Sequence, residues 1–178
     1  MKRILLILSL LLPVIVSAQN IQDTFFGQKL GTKVSETAIK KGLEGKFSTE
    51  LSVEKAYPIT AYKTELVTFG GIAWECALFC GFFDEPVLGS VVFMKKALDE
   101  SSFEQDRKNL QEALTNKYGK PENTEDHGLR WEGENGMGVK ITLSEEEGIL
   151  GIKYQTLSLA YYSIEVVQKY KDQISDEL

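Results

Sequence analysis

The stretch ITAYKTELVTFGGIAWECALFCGFFDEPVLGSVVFMKK, residues 59–96, decides the fold. It contains three long runs rich in β-branched and aromatic residues, Ile59 to Phe69, Ile72 to Phe82 and Val87 to Lys96. Gly70-Gly71 separates the first two and supplies the positive φ angles that a tight hairpin requires. Asp84-Glu85-Pro86 separates the second and third, and its proline cannot donate to a strand ladder. Upstream, Phe47 to Tyr57 reads as a further strand closed by Pro58. Four strands in hairpin order imply an antiparallel sheet.

Working outward, Thr24 to Gly31 is an extended apolar lead, and Ser35 to Lys41 reads as a short helix ending at Gly42. Beyond the strands, Ser101 with Glu104 has the spacing of a capping box. Phe103, Leu110, Ala113, Leu114 and Tyr118 then fall on one helical face, and Gly119 followed by Pro121 stops the run. Three more strands are expected at Leu129 to Glu132, Gly138 to Ser144 and Ile149 to Leu157, with turns at Asn135-Gly136 and Glu147-Gly148. Tyr161, Ile164, Val167 and Ile174 suggest a closing helix. The expected fold class is α+β: one antiparallel sheet with helices on one side, in a single domain over 19–178. The order helix, strands, helix, strands suggests two tandem units over 24–97 and 98–178, although no residue-level repeat joins them.

Phe26-Gly27-x-x-Leu30-Gly31 before the first helix, and Leu114-x-x-Lys117-Tyr118-Gly119-Lys120-Pro121 at the end of the second, carry a resemblance. At this architectural level the chain resembles the small exported domains related to beta-lactamase inhibitor protein and to the SmpA/OmlA-type outer-membrane assembly lipoprotein. The resemblance implies a protein-binding or envelope role and identifies no binding residue. The lipid-anchor cysteine of the assembly lipoprotein has no counterpart here, so its membrane-complex role is not carried over.

Residues 1–18 read as a secretory signal peptide. Lys2 and Arg3 form a positive start, Ile4 to Val16 is apolar apart from Ser9 and Pro13, and Val16-Ser17-Ala18 has the small-residue pattern of a cleavage site after Ala18. The apolar run is shorter than the ~20 residues of a spanning helix and is followed at once by Gln19 and Asn20, so no transmembrane anchor is expected. The expected location is periplasmic or secreted. The last four residues, Ser175-Asp176-Glu177-Leu178, resemble an endoplasmic-reticulum retention signal but depart from it at Ser175; the bacterial look of the leader favours periplasmic export. The formal charge is −6, and losing Lys2 and Arg3 makes it more negative. With no basic cluster beyond Lys40-Lys41 and Lys95-Lys96, nucleic acid is not an expected partner.

No cofactor, metal or catalytic constellation stands out. Cys76 and Cys80 are the only cysteines; four residues apart on a strand they would be separated by about 13 Å, too far for a disulfide, so two core thiols are expected. His127 is the sole histidine and lies in a polar loop beside Glu125 and Asp126. Glu145-Glu146-Glu147 lacks the alternating oxygen ligands of a calcium loop and reads as a solvated hairpin turn. Gly133 to Gly138 carries three glycines in neither a dinucleotide nor a P-loop order, and reads as another turn. Trp74, Trp131, Phe79, Phe82, Phe83, Tyr161 and Tyr162 are mostly core in this reading. Phe82 and Phe83 form the candidate interaction surface, because adjacent strand residues face opposite sides and both are buried only if the sheet is covered twice.

The function these observations suggest is an exported, non-enzymatic binding domain with an envelope protein or other exported macromolecule as partner. The competing reading is an envelope hydrolase acting on glycan or peptide through two carboxylates, one with a raised pKa. A third, carriage of an apolar ligand, requires an enclosed cavity.

Overall fold

The computed structural model describes residues 20–45, 50–56, 58–147 and 153–177. The expected signal peptide and the cleavage site expected after Ala18, with Phe47, Tyr57, Gly148, Ile149 and Leu178, lie outside these residues. A small hairpin, β1 (Thr24–Phe25) and β2 (Gln28–Lys29), precedes helix α1 (Glu36–Leu43). Strands β3 (Ser52–Ala56), β4 (Ile59–Phe69), β5 (Ile72–Phe82) and β6 (Val87–Ala97) follow. A 3-10 turn over Glu100–Phe103 leads into α2 (Glu104–Tyr118), then β7 (Glu122–Asn123), β8 (Leu129–Glu132), β9 (Met137–Glu147), β10 (Lys153–Ser163) and α3 (Ile164–Glu177).

One eight-stranded antiparallel sheet results, in the order β3-β4-β5-β6-β10-β9-β8-β7. Each half of the chain lays down a four-stranded meander, and the halves meet last strand to last strand, β6 against β10. The α+β architecture expected from the pattern is therefore the one formed. The second meander has a fourth strand that the pattern did not reveal: β7 is two exposed polar residues pairing with Arg130 and Leu129.

Helices α1 and α2 cover one face of this sheet. Ser35 caps α1 by accepting from the Ala38 amide. Gly42 does not end that helix but lies inside it, because a Cβ there would stand 2.0 Å from the Phe26 carbonyl oxygen. Phe26 (φ 47) and Gly27 (φ 78) form the hairpin turn that brings this close approach about. At α2 the Ser101/Glu104 box is replaced: Asp99 accepts from the Ser102 amide and starts the 3-10 turn that feeds the helix. Leu110 and Leu114 are buried as expected, whereas Ala113 is exposed.

The core lies between these helices and the sheet. Phe93 of β6 is fully buried at its centre, with Phe69 stacked on it at 4.3 Å and 6° and Phe25 and Trp74 within 6.3 Å. Both tryptophans find acceptors, Trp74 Nε1 donating to Phe69 O and Trp131 Nε1 to Gly119 O, so neither buried N–H is left unpaired. Lys95, on the same face, pairs with Asp106 of α2 over the Phe103 ring. Asn135, in the glycine-rich turn, clamps the start of the described chain, its Oδ1 accepting from Ile21 N at 3.2 Å and its Nδ2 donating to Ile21 O at 2.8 Å.

Helix α3 behaves differently. Tyr161, expected within it, is instead a buried strand residue of β10; the helix begins three residues later, where Ser163 accepts from the Val166 amide and Ile164 N donates to Gly136 O. Val166 approaches Gly89, and Tyr170 meets Phe82 at 4.8 Å. Phe82 alternates with Phe79, so α3 lies over one end of the opposite face of the sheet.

Candidate functional site: the open face of the sheet

Register defines the face opposite α1 and α2. Leu78 pairs with Val92, Val92 with Ala160, and Ala160 with Lys140; one step along, Cys76 pairs with Met94, and Met94 with Ser158. These side chains alternate with the core residues Phe79, Val91, Phe93 and Leu159 and therefore point away from the covered face. Beyond the end covered by α3, Leu78, Val92, Met94, Ser158 and Ala160 are half-buried. They form an uncharged strip across the β5, β6 and β10 seam.

At the β4–β5 end the strip meets a depression of about 570 Å³ lined by Glu54, Lys63, Glu65, Leu66, Glu75, Cys76, Leu78, Met94 and Lys96. Lys63 pairs with Glu65 at 3.5 Å, and Lys96 with Glu146 at 2.5 Å, a contact that raises the Lys96 pKa. Here the alternation of both strands breaks. Tyr62 and Thr64 are buried, but the next buried residue is Val67; on β5, Trp74 and Ala77 are three apart. The break coincides with Leu66, whose φ is 50. Its outcome is that Val67, Phe69 and Trp74 turn into the core while Leu66, 63% exposed, turns out.

A second cleft, about 280 Å³, lies between α3 and the outer side of β8, β9 and β10, with Tyr162 and Val167 among its walls. Its Arg130 is engaged by Glu122 at 2.7 Å and Glu132 at 3.4 Å, and its Lys140 by Asp126 at 2.6 Å. Burial pushes the Tyr162 hydroxyl pKa up, and Glu132 adds to the rise.

The residues singled out from sequence are distributed as follows. Phe82 is 7% exposed beneath Tyr170 of α3, so the sheet is covered twice at this point. Phe83 is half-buried in the turn that follows (φ 74), with Lys169 Nζ 5.0 Å from its ring centre. Neither contributes to the open strip. Cys76 and Cys80 are both free, on the open face; burial raises both thiol pKa values, partly offset at Cys80 by a Ser90 hydrogen bond. His127 is exposed at φ 58 in the loop before β8. Glu145, Glu146 and Glu147 belong to β9 rather than to a turn, and Glu145 pairs with Lys153 across the ladder.

Among the described residues, four carboxylates have a lowered pKa: Asp23 through the Thr24 hydroxyl, Asp99 through Ser101, Asp126 through Lys140 and Glu145 through Lys153. No group of three or more His, Cys, Asp or Glu side chains among the described residues is arranged to hold a metal ion, and no helix among them is long and apolar enough to cross a membrane. Leu66 was not singled out in the sequence, and neither was the strip. Comparison with protein-family models, with curated proteins and with solved structures finds no match for this chain.

Proposed function

We propose that the chain is an exported, non-enzymatic binding domain that engages a protein partner through the open face of its sheet. The observation that carries this reading is the strip of Leu78, Val92, Met94 and Ala160, half-buried on the face opposite α1 and α2 and bordered by charged side chains at Lys63, Glu75 and Lys96. An uncharged centre within a polar rim is the anatomy of a protein interface. The two clefts described above are lined by charged side chains, unlike the dry chamber an apolar ligand requires.

Site-specific photo-crosslinking tests it. A benzophenone side chain at Met94, on the strip, is expected to trap a protein partner in the cell envelope at one-to-one stoichiometry. The same group at Gln111, exposed on α2 behind the other face, is expected to trap none. Equal trapping from both positions contradicts the assignment.

A further inference from the structure

Resting on that reading of the open face, we propose that its acidic corner, at Leu66, anchors a partner segment in which an apolar side chain is flanked by lysine or arginine. Among the described residues four non-glycine positions have positive φ: Phe26, Phe83 and His127 lie in turns or loops, and Leu66 alone lies inside a strand. A left-handed backbone presses Cβ toward the following carbonyl, a strain that glycine avoids and asparagine tolerates better. The backbone twist is needed, since it returns Val67, Phe69 and Trp74 to the core. The leucine side chain is not needed for that twist, because it points outward and is 63% exposed. Folding alone would be better served by a smaller residue, so the identity of Leu66 is explained by what it meets outside the chain.

Two features of the surroundings specify the partner's chemistry. Leu66 with Val67, Thr68, Ala73 and Trp74 lines a notch of about 170 Å³ that is almost entirely apolar, of a size for one aliphatic side chain. On its other side the depression carries three carboxylates, Glu54, Glu65 and Glu75, against two ammonium groups, of which Lys96 is held by Glu146 and Lys63 by Glu65. Glu54 and Glu75 are exposed, and among the described residues no cation stands within ion-pair distance of either, although Glu75 adds to the field at Lys96. A complementary segment is cationic beside its apolar anchor, and its binding weakens with salt.

The test uses the full folded chain without its leader, wild type and Leu66→Gly. Leu66→Gly is expected to raise the melting temperature by a few degrees, as relief of left-handed strain outweighs the loss of a mostly exposed side chain. A fall would make Leu66 part of the packing and overturn the proposal. Two synthetic peptides, acetyl-Lys-Leu-Leu-Lys-amide and acetyl-Glu-Leu-Leu-Glu-amide, are titrated while the backbone amides are followed by NMR. The basic peptide is expected to shift the amides of Glu65 to Thr68 and Ala73 to Cys76 saturably, with shifts that shrink as salt is added and vanish in Leu66→Gly. Absent shifts, equal response to the acidic peptide, or survival in Leu66→Gly overturn it. If Met94 traps a partner while this corner fails, the proposal falls and the open-face reading stands; if Met94 traps nothing, the broader reading falls.

Discussion

Phe93 and Met94 are neighbours on β6 and belong to different environments. Phe93 is fully buried among aromatic rings on the helix-covered face; Met94 is half-buried on the open one. The same contrast runs across β5, β6 and β10, with Phe79, Phe93 and Leu159 against Leu78, Met94 and Ala160. It shows that this sheet divides its labour by face. One side supplies the burial that stabilises the domain, and the other keeps a half-buried, uncharged strip beyond the end that α3 covers.

The largest test of that division is Phe93→Ala, which removes a ring from the centre of the cluster. It is expected to cost about 3–5 kcal/mol, read from urea unfolding with an unchanged slope. A loss no greater than that of Met94→Ala would break the contrast at its strongest point.

Next in size is Asn135→Ala, which deletes both hydrogen bonds to Ile21 and leaves a largely buried backbone pair without partners. It is expected to cost about 1–3 kcal/mol and to speed amide exchange at Ile21 first. Uniform protection at Ile21 in the variant would mean that packing, not the clamp, holds this segment on the covered face.

A smaller effect concerns Asp126, whose carboxyl is held at about 2 by Lys140 and by the Thr124 hydroxyl. A depressed carboxyl contributes stability that is present above its unfolded value near 3.8 and is lost as pH falls through about 2. Because the pair is well exposed, solvent screening limits the contribution to about 0.5 kcal/mol. Asp126→Asn is expected to flatten stability between pH 4 and pH 2 by that amount and to leave the open strip unchanged. An unaltered pH profile would show that the pair does not persist in solution.

Much of the covered face was legible in the sequence. Pro58, Gly70-Gly71 and Pro86 mark the start of β4, the β4–β5 turn and the start of β6, because proline restricts the backbone and glycine admits the positive φ of a turn. Short or relational features were not legible. Strand β7 is two polar residues with no periodicity to detect, and Gly42 reads as a helix stop until Phe26 is placed against it. The strip on the open face is assembled from β5, β6 and β10 by register, so no local window contains it. The reversal of facing at Leu66 inside β4 was equally hidden, since Leu66-Val67 fits either face until one backbone angle decides between them. Phe82 was expected at a rim unless the sheet is covered twice, and Tyr170 of α3 provides that second cover at this point.

The most direct test of the open face is Met94→Glu in the crosslinking assay, with the benzophenone placed at Val92. The substitution is expected to change stability by no more than about 0.5–1 kcal/mol, as for a position away from the core. It is expected to reduce partner trapping at least tenfold, because a carboxylate then stands in the uncharged centre of the interface. Undiminished trapping by Met94→Glu, with the fold intact, would contradict the assignment of this face as the binding surface.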